Sequence, residues 1–314
     1  METQASISTA QPNQSIAFFS QLIDEMKRHP LITAGFMLTV IAVIVLVLIE
    51  YNALGGQNIR FNHAMLGSLV SFSTTALGAC GVLLLRGLST KIEDSMLGFA
   101  AGMMMAASVF SLIIPALDAS TEILGKPALS PFIVVIGLAM GVMLMLGLDR
   151  FTPHAHAHSG TFGPGRDRLS GVWLFTMAIT LHNLPEGMAI GVGYAGGDDT
   201  VGLAITSAIS IQNIPEGLAV AMALRAAGIR PLLALIVAAG SGLMEPIGAF
   251  IGVGVASGLP LAYPLGLSLA AGAMLFVVSH EVIPETHRNG HQTPATIGLM
   301  GGFAVMMVLD TALG

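Results

Sequence analysis

Leu181-His182-Asn183-Leu184-Pro185-Glu186-Gly187 and, thirty residues later, Ile211-Gln212-Asn213-Ile214-Pro215-Glu216-Gly217 are near-copies of one pattern, each set inside a strongly apolar segment. Both flanking segments are long enough to cross a bilayer as helices, since about 20 residues at 1.5 Å each span the hydrocarbon core. Each copy plants a carboxylate and an amide at mid-membrane, and the first adds an imidazole. Ionisable groups at that depth are costly and mark a pathway, a proton site or an ion site.

Composition places the whole chain in the same setting. Of 314 residues, 54% are hydrophobic and only 10% charged, with mean hydropathy +0.81. A soluble domain carries about a quarter charged residues. The fold class is therefore an all-α polytopic membrane protein, with membrane lipid as its surroundings. The 38 glycines suit close helix packing in lipid, and a homodimer through Gly-rich faces is compatible with them, although no motif specifies it. Cys80 is the only cysteine, which excludes an intrachain disulfide and a cysteine metal cage. The formal charge of −6 is mild, and no basic or aromatic pattern points to nucleic acid.

Apolar runs predict helices over 31–50, 64–86, 95–117, 130–149, 171–195, 202–224, 232–255, 263–284 and 293–312. The first run follows thirty polar residues and has no clean cleavage site after it, so it reads as a retained span rather than a signal peptide. This divides the chain into a cytosolic segment (1–30), one N-terminal helix (31–50) and the remaining eight helices (64–312). Alternate loops starting with the N-terminus hold Lys27, Arg28, Arg86, Lys91, Arg150, Arg166, Arg168, Arg225, Arg230 and Arg288. The opposite loops hold only Arg60 and Lys126. That asymmetry predicts a cytosolic N-terminus and a C-terminus outside, in a cell (inner) membrane. The cytosolic connection 150–170 contains His154, His156 and His158 in a Gly/Ser-rich setting, read as a flexible loop of weak metal affinity.

His182 and Glu186 are four apart and stack on one helix face. Pro185 lacks an N–H, so the Leu181 carbonyl loses its partner and a local kink is expected. The next helix repeats this with Gln212, Asn213, Pro215 and Glu216, and a short loop makes the two antiparallel. Glu245 adds a third carboxylate in the following helix, and Met103, Met104 or Met105 is a candidate soft ligand. No predicted span contains Lys or Arg away from its ends. Three carboxylates with no basic partner must be protonated or share cations. Imidazole, carboxylate and amide oxygens together suit Zn²⁺ and similar divalent ions, so the expected function is carriage of a divalent metal ion.

The stretches His182-Asn183-x-Pro185-Glu186-Gly187, Gln212-Asn213-x-Pro215-Glu216-Gly217 and Met244-Glu245-Pro246, with the His-containing loop before them, resemble the ZIP family of metal transporters, in particular its bacterial branch. The resemblance implies an eight-helix core arranged three-plus-two-plus-three with inverted repeats, here with one additional N-terminal helix. It implies movement of Zn²⁺ toward the cytosol, with Cd²⁺, Fe²⁺ or Mn²⁺ as alternative ions. Carried over by residue, it implies a first metal position of His182, Glu186, Gln212 and Glu216 with Met104 close by. A second would use Asn183, Asn213 and Glu245, bridged by Glu186 and Glu216. Many relatives have Asp where this chain has Asn213, so the second position should hold metal more weakly. By the predicted topology Asp118 and Asp310 stand at outer helix ends, as an acidic mouth. His280, Glu281, Glu285 and His287 form an expected exit relay or inner regulatory site, joined by the loop histidines and by Asp94 and Asp149. Ser108 and Ser111 either line the outer approach or bond their own backbone.

Two other readings compete. His280-Glu281 opens like a zinc-hydrolase H-E-x-x-H motif, but position 284 is Pro and the spacing fails. A metal-responsive receptor would bind an ion without moving it.

Overall fold

The computed structural model describes residues 14–53, 59–85, 89–152, 154–156, 160–162, 171–226, 228–256, 259–287 and 289–313. His158, Arg86, Arg166, Arg168 and Arg288 lie outside them. Within that range the chain is helical apart from one small ribbon. The long helices are α1 (Gln14–Arg28), α2 (Pro30–Ala53), α3 (Ile59–Leu84), α4 (Thr90–Ala107) continuing into α5 (Ile114–Leu124), and α6 (Ser130–Phe151). Strands β1 (His154–His156) and β2 (Gly160–Phe162) pair antiparallel, with Ala155 opposite Thr161. Then come α7 (Gly171–Ala195), α8 (Asp199–Ala226), α9 (Pro231–Ser241), α10 (Met244–Ala256), α11 (Ala262–Val277), α12 (Ile283–Thr286) and α13 (Gln292–Leu313). Among the described residues, seven helical segments are long and apolar enough to cross a membrane. The motif helices α7 and α8 have 25 and 28 residues.

Besides the ribbon found within the connection read as a flexible loop, three features of the helices differ from the sequence expectation. Residues 1–30 were expected as a polar segment, yet Gln14–Arg28 is helical. It is held near the end of α6 by an ion pair from Arg150 Nε to Glu25 at 3.0 Å, and Thr33 bridges the break at Pro30 by donating to the Met26 carbonyl at 2.8 Å. Second, the helix expected over 95–117 runs on to Leu124, ended by Gly125 at φ 60. It passes through a π-type turn at Ser108–Ile113, and a matching turn occupies Val278–Val282. Each precedes an Ile-Pro pair, Ile114-Pro115 or Ile283-Pro284. A proline cannot bond back four residues, and the ladder recovers by a wider turn. Third, the expected helix 232–255 is broken at Gly242-Leu243, so Glu245 stands on the first turn of a fresh helix, α10.

Close pairs of parallel helices build the core, joined where glycine lets backbones meet. Gly98 and Gly102 of α4 abut α13; Gly137 and Gly141 of α6 abut α11; Gly78 of α3 meets α8; Gly187 and Gly191 of α7 meet α10. These seven glycines are engaged within the chain. Exchanging α3 with α10, α4 with α11, α6 with α13 and α7 with α8 maps this set of pairs onto itself, as inverted repeats require. Burial grades outward from α11. About 72% of the apolar stretch that starts with α11 is buried inside the protein against 6% for α2, which makes α2 peripheral.

Candidate metal centre

The site is built by the two motif glycines. A Cβ on Gly187 would strike the Glu245 carbonyl oxygen of α10, and one on Gly217 would strike the Thr75 carbonyl oxygen of α3. Only glycine permits these approaches. They lay Ser241 and Glu245 beside the motif of α7, and Ser71 and Thr75 beside that of α8. The two amides then act alike: Asn183 Nδ2 donates to Ser241 Oγ at 3.2 Å, and Asn213 Nδ2 donates to Ser71 Oγ at 2.9 Å.

Between these walls the polar groups meet. Gln212 Nε2 donates to Glu186 Oε1 at 2.6 Å, joining the two motifs. Glu245 Oε1 accepts from the Thr75 hydroxyl at 2.8 Å and from Asn213 Nδ2 at 3.1 Å. Glu216 is near enough to both Glu186 and Glu245 for direct charge interaction. All are buried, with Glu186, Gln212 and Glu245 at 0% exposure. Among the described residues, eight buried side-chain nitrogen or oxygen atoms lack a hydrogen-bond partner. Five of them belong here: Glu186 Oε2, Glu216 Oε2, Glu245 Oε2, Gln212 Oε1 and Asn213 Oδ1. Every one is an acceptor. Among the described residues no Lys or Arg pairs with the three carboxylates. Buried polar atoms are ordinarily satisfied, and a cluster of acceptors alone calls for a bound cation or for protons on the carboxylates.

The remaining sequence candidates fall into separate groups. His182 bonds Glu281 through Nε2 and stays close enough to Glu216 for direct charge interaction, so it links the centre to the region around the π turn of Val278–Val282. His280 lies 3.8 Å from Asp149 and stacks on Phe276. Glu285 and His287 are half-buried on and just after α12. Buried Asp94 accepts from Asn289 Nδ2 at 2.9 Å and contacts His291 Nδ1 at 2.8 Å. Ser108 bonds its own helix, donating to the Met104 carbonyl, whereas Ser111 bonds Asp310 across to α13. Asp118 was expected at a helix end, but the α5 continuation puts it mid-helix and exposed. Met104 is buried in the core. The backbones of His154 and His156 form β1; their side chains lie outside the described ones. Among the described residues no three His, Cys, Asp or Glu side chains converge as a ready-made metal cage; His182 is engaged with Glu281, and three of the donors, Asn183, Gln212 and Asn213, are amides.

Ser71, Thr75 and Ser241 escaped the sequence reading, since hydroxyl residues in apolar helices are ordinary. The signal is an internal match: Ser71-x3-Thr75-x2-Gly78-Ala79 corresponds to Ser241-x3-Glu245-x2-Gly248-Ala249.

Beyond the chain, the family model "Zip: ZIP Zinc transporter" matches residues 153–310. Zinc transporter ZIPB of Bordetella bronchiseptica is 58% identical over 292 residues, covering 92% of this chain and 94% of that protein. The chain belongs to the ZIP zinc transporter family. GufA, a zinc transporter of Myxococcus xanthus, is 40% identical over 80% of this chain and 98% of its own. Zinc transporter ZIP11 of Homo sapiens is 30% identical over 80% and 97%. These ZIP proteins are transporters rather than enzymes, and the hydrolase reading has no support among them.

Proposed function

We propose that this ZIP protein carries Zn²⁺ across the cell membrane into the cytosol through two adjoining positions between α7 and α8. The observation that supports the reading is the set of five partnerless acceptor oxygens with, among the described residues, no Lys or Arg paired to them. A transported cation supplies the missing positive charge, and its departure leaves the cluster ready for the next. Glu186, Glu216, Gln212 and His182 serve the first position, with Met104 close by; Asn183, Asn213 and Glu245 border the second, bridged by Glu186 and Glu216.

Sidedness rests on the Lys and Arg distribution, ten on one set of loops against two on the other. On that basis Asp310, held by Ser111, and exposed Asp118 gather ions at the outer face. Glu281, His280, Asp149, Glu285 and His287 receive them inside, with His154 and His156 of the loop. His182 is the hand-over group, because its partner Glu281 belongs to the inner set. A carboxylate behind an imidazole fixes its orientation and raises its basicity. Opening of the inner face then needs α7 and α8 to shift against the flanking helices. Cd²⁺, Fe²⁺ and Mn²⁺ accept similar donors and are the expected competitors.

The test is radiotracer Zn²⁺ uptake into liposomes containing the purified chain. Glu186→Ala combined with Glu216→Ala should abolish uptake while the protein still inserts and remains monodisperse. Undiminished uptake by that variant removes the proposal. Added Cd²⁺, Fe²⁺ and Mn²⁺ rank the selectivity in the same assay.

A further inference from the structure

The inverted-repeat exchange leaves α2 without a counterpart. It packs across α6 and α10, with Phe36 seated against Gly147 and Val47 against Gly254. Under the exchange α6 and α10 become α13 and α3, and among the described residues no helix other than α8 packs across that pair. The two motif helices differ accordingly. Leu181 and Leu184 of α7 are each 8% exposed, whereas Ile211 and Ile214, at the corresponding places of α8, are 39% and 41% exposed.

Beside Pro215, on this uncovered side, a groove of about 600 Å³ runs between α4, α8 and α13. Ile92, Met96 and Phe99 recur at helical spacing along α4 and make its apolar wall, and Pro215 and Gly298 border it from α8 and α13. Ser89 and Lys91 stand at one end, both exposed, just ahead of the apolar run that begins at residue 95. Among the described lining residues Lys91 alone is charged. Glu93 lies off the lining, and Asp94 is bonded to Asn289 and His291. The Ser89 hydroxyl makes no capping bond to α4.

We infer that this groove binds one anionic phospholipid, taken from the leaflet that meets the Lys- and Arg-rich loops. Its phosphate pairs with the Lys91 ammonium and accepts from the Ser89 hydroxyl, while an acyl chain lies along Ile92, Met96 and Phe99 as far as Pro215. A basic group at the headgroup level above an apolar channel between spanning helices is the chemistry that selects such lipids, and the volume falls in the range of ligand pockets. The lysine stem continues the apolar wall and brings its charge to the boundary. A peptide strand would need partners for its backbone, and the wall offers few: the Ser95 hydroxyl is already given to the Lys91 carbonyl of its own helix. An acyl chain needs none. The lipid thus covers α8 on the side left open by the absence of a second α2, and it touches none of the carboxylate or amide donors of the centre.

The experiment titrates the delipidated full-length chain, in detergent, with phosphatidylglycerol or phosphatidylcholine of identical acyl chains and counts retained lipids by native mass spectrometry. The parent should keep one phosphatidylglycerol per chain under conditions that strip phosphatidylcholine. Lys91→Gln should abolish that preference, and Ile92→Trp, which fills the groove from an exposed position, should lose the retained lipid in protein that stays monodisperse. Arg230→Gln removes an exposed cation outside the groove and should retain lipid as the parent does. Equal retention of the two lipids by the parent, unchanged preference in Lys91→Gln, or an equal loss in Arg230→Gln overturns the inference. No metal enters this measurement, so its outcome is independent of the uptake test.

Discussion

The α3–α8 half of the centre and the α10–α7 half share one frame but differ in chemistry. On one side stand Ser71, Thr75, Asn213 and Gly217; on the other, Ser241, Glu245, Asn183 and Gly187. The serines and amides pair alike, and each glycine admits the partner's backbone at the corresponding place. The differences are Thr75 against Glu245, and Gln212 against His182. Packing is thus what the repeat preserves, while charge and metal affinity sit in the positions where the halves diverge.

Breaking the shared frame should have the largest effect. Gly187→Val or Gly217→Val drives a side chain into a neighbouring backbone carbonyl that no rotamer change can move. The cost exceeds the ~1–3 kcal/mol of ordinary overpacking. Both variants should lose the monodisperse peak on size exclusion as well as all uptake. Equal loss in the two would show that the halves carry the frame jointly. A folded, active variant of either glycine would mean that its helix pair is not clamped there.

Making the halves chemically alike should spare the fold and damage affinity. His182→Gln gives the first motif the polar residues of the second and removes the one imidazole that the described residues place at the centre. The KM for Zn²⁺ should rise more than in Glu281→Gln, which leaves the imidazole but removes its orienting partner. Loss of such a second partner lowers metal affinity roughly 10–100-fold. If Glu281→Gln alters the turnover rate but not KM, Glu281 belongs to the exit step rather than to the orientation of His182.

Much of the fold was legible because hydropathy and length are sufficient for membrane helices: each predicted span falls on an observed helix. Helix α1 was missed because amphipathic helices carry no apolar run. The break at Gly242-Leu243 was missed because a single Pro246 is compatible with a continuous, kinked helix, and Asp118 was misplaced because α5 outlasts its apolar stretch. At the centre, the carboxylates and amides were readable from the doubled motif. The Glu281 partner of His182 was not, being 99 residues away on an element whose rotation only packing decides. The hydroxyls were hidden for another reason. Ser71, Thr75 and Ser241 gain meaning only when the glycines bring α3 and α10 against the motifs.

The smallest effect separates the two serines. Ser71→Ala and Ser241→Ala each remove one buried hydrogen-bond acceptor from an asparagine amide, a change of about 1 kcal/mol in stability. The bonds differ in what lies behind them. Asn183 bonds Ser241 at 3.2 Å, whereas Asn213 bonds Ser71 at 2.9 Å and reaches on to Glu245. Ser71→Ala should therefore lower the thermal midpoint more than Ser241→Ala, and it alone should loosen the amide against Glu245. Paired with Glu245→Gln, the Ser71 effect should shrink, because the neutral partner no longer draws the amide toward it, while the Ser241 effect should add independently. Additivity in both pairs would leave Ser71 as packing alone and detach the hydroxyl of α3 from the placement of Asn213 against Glu245.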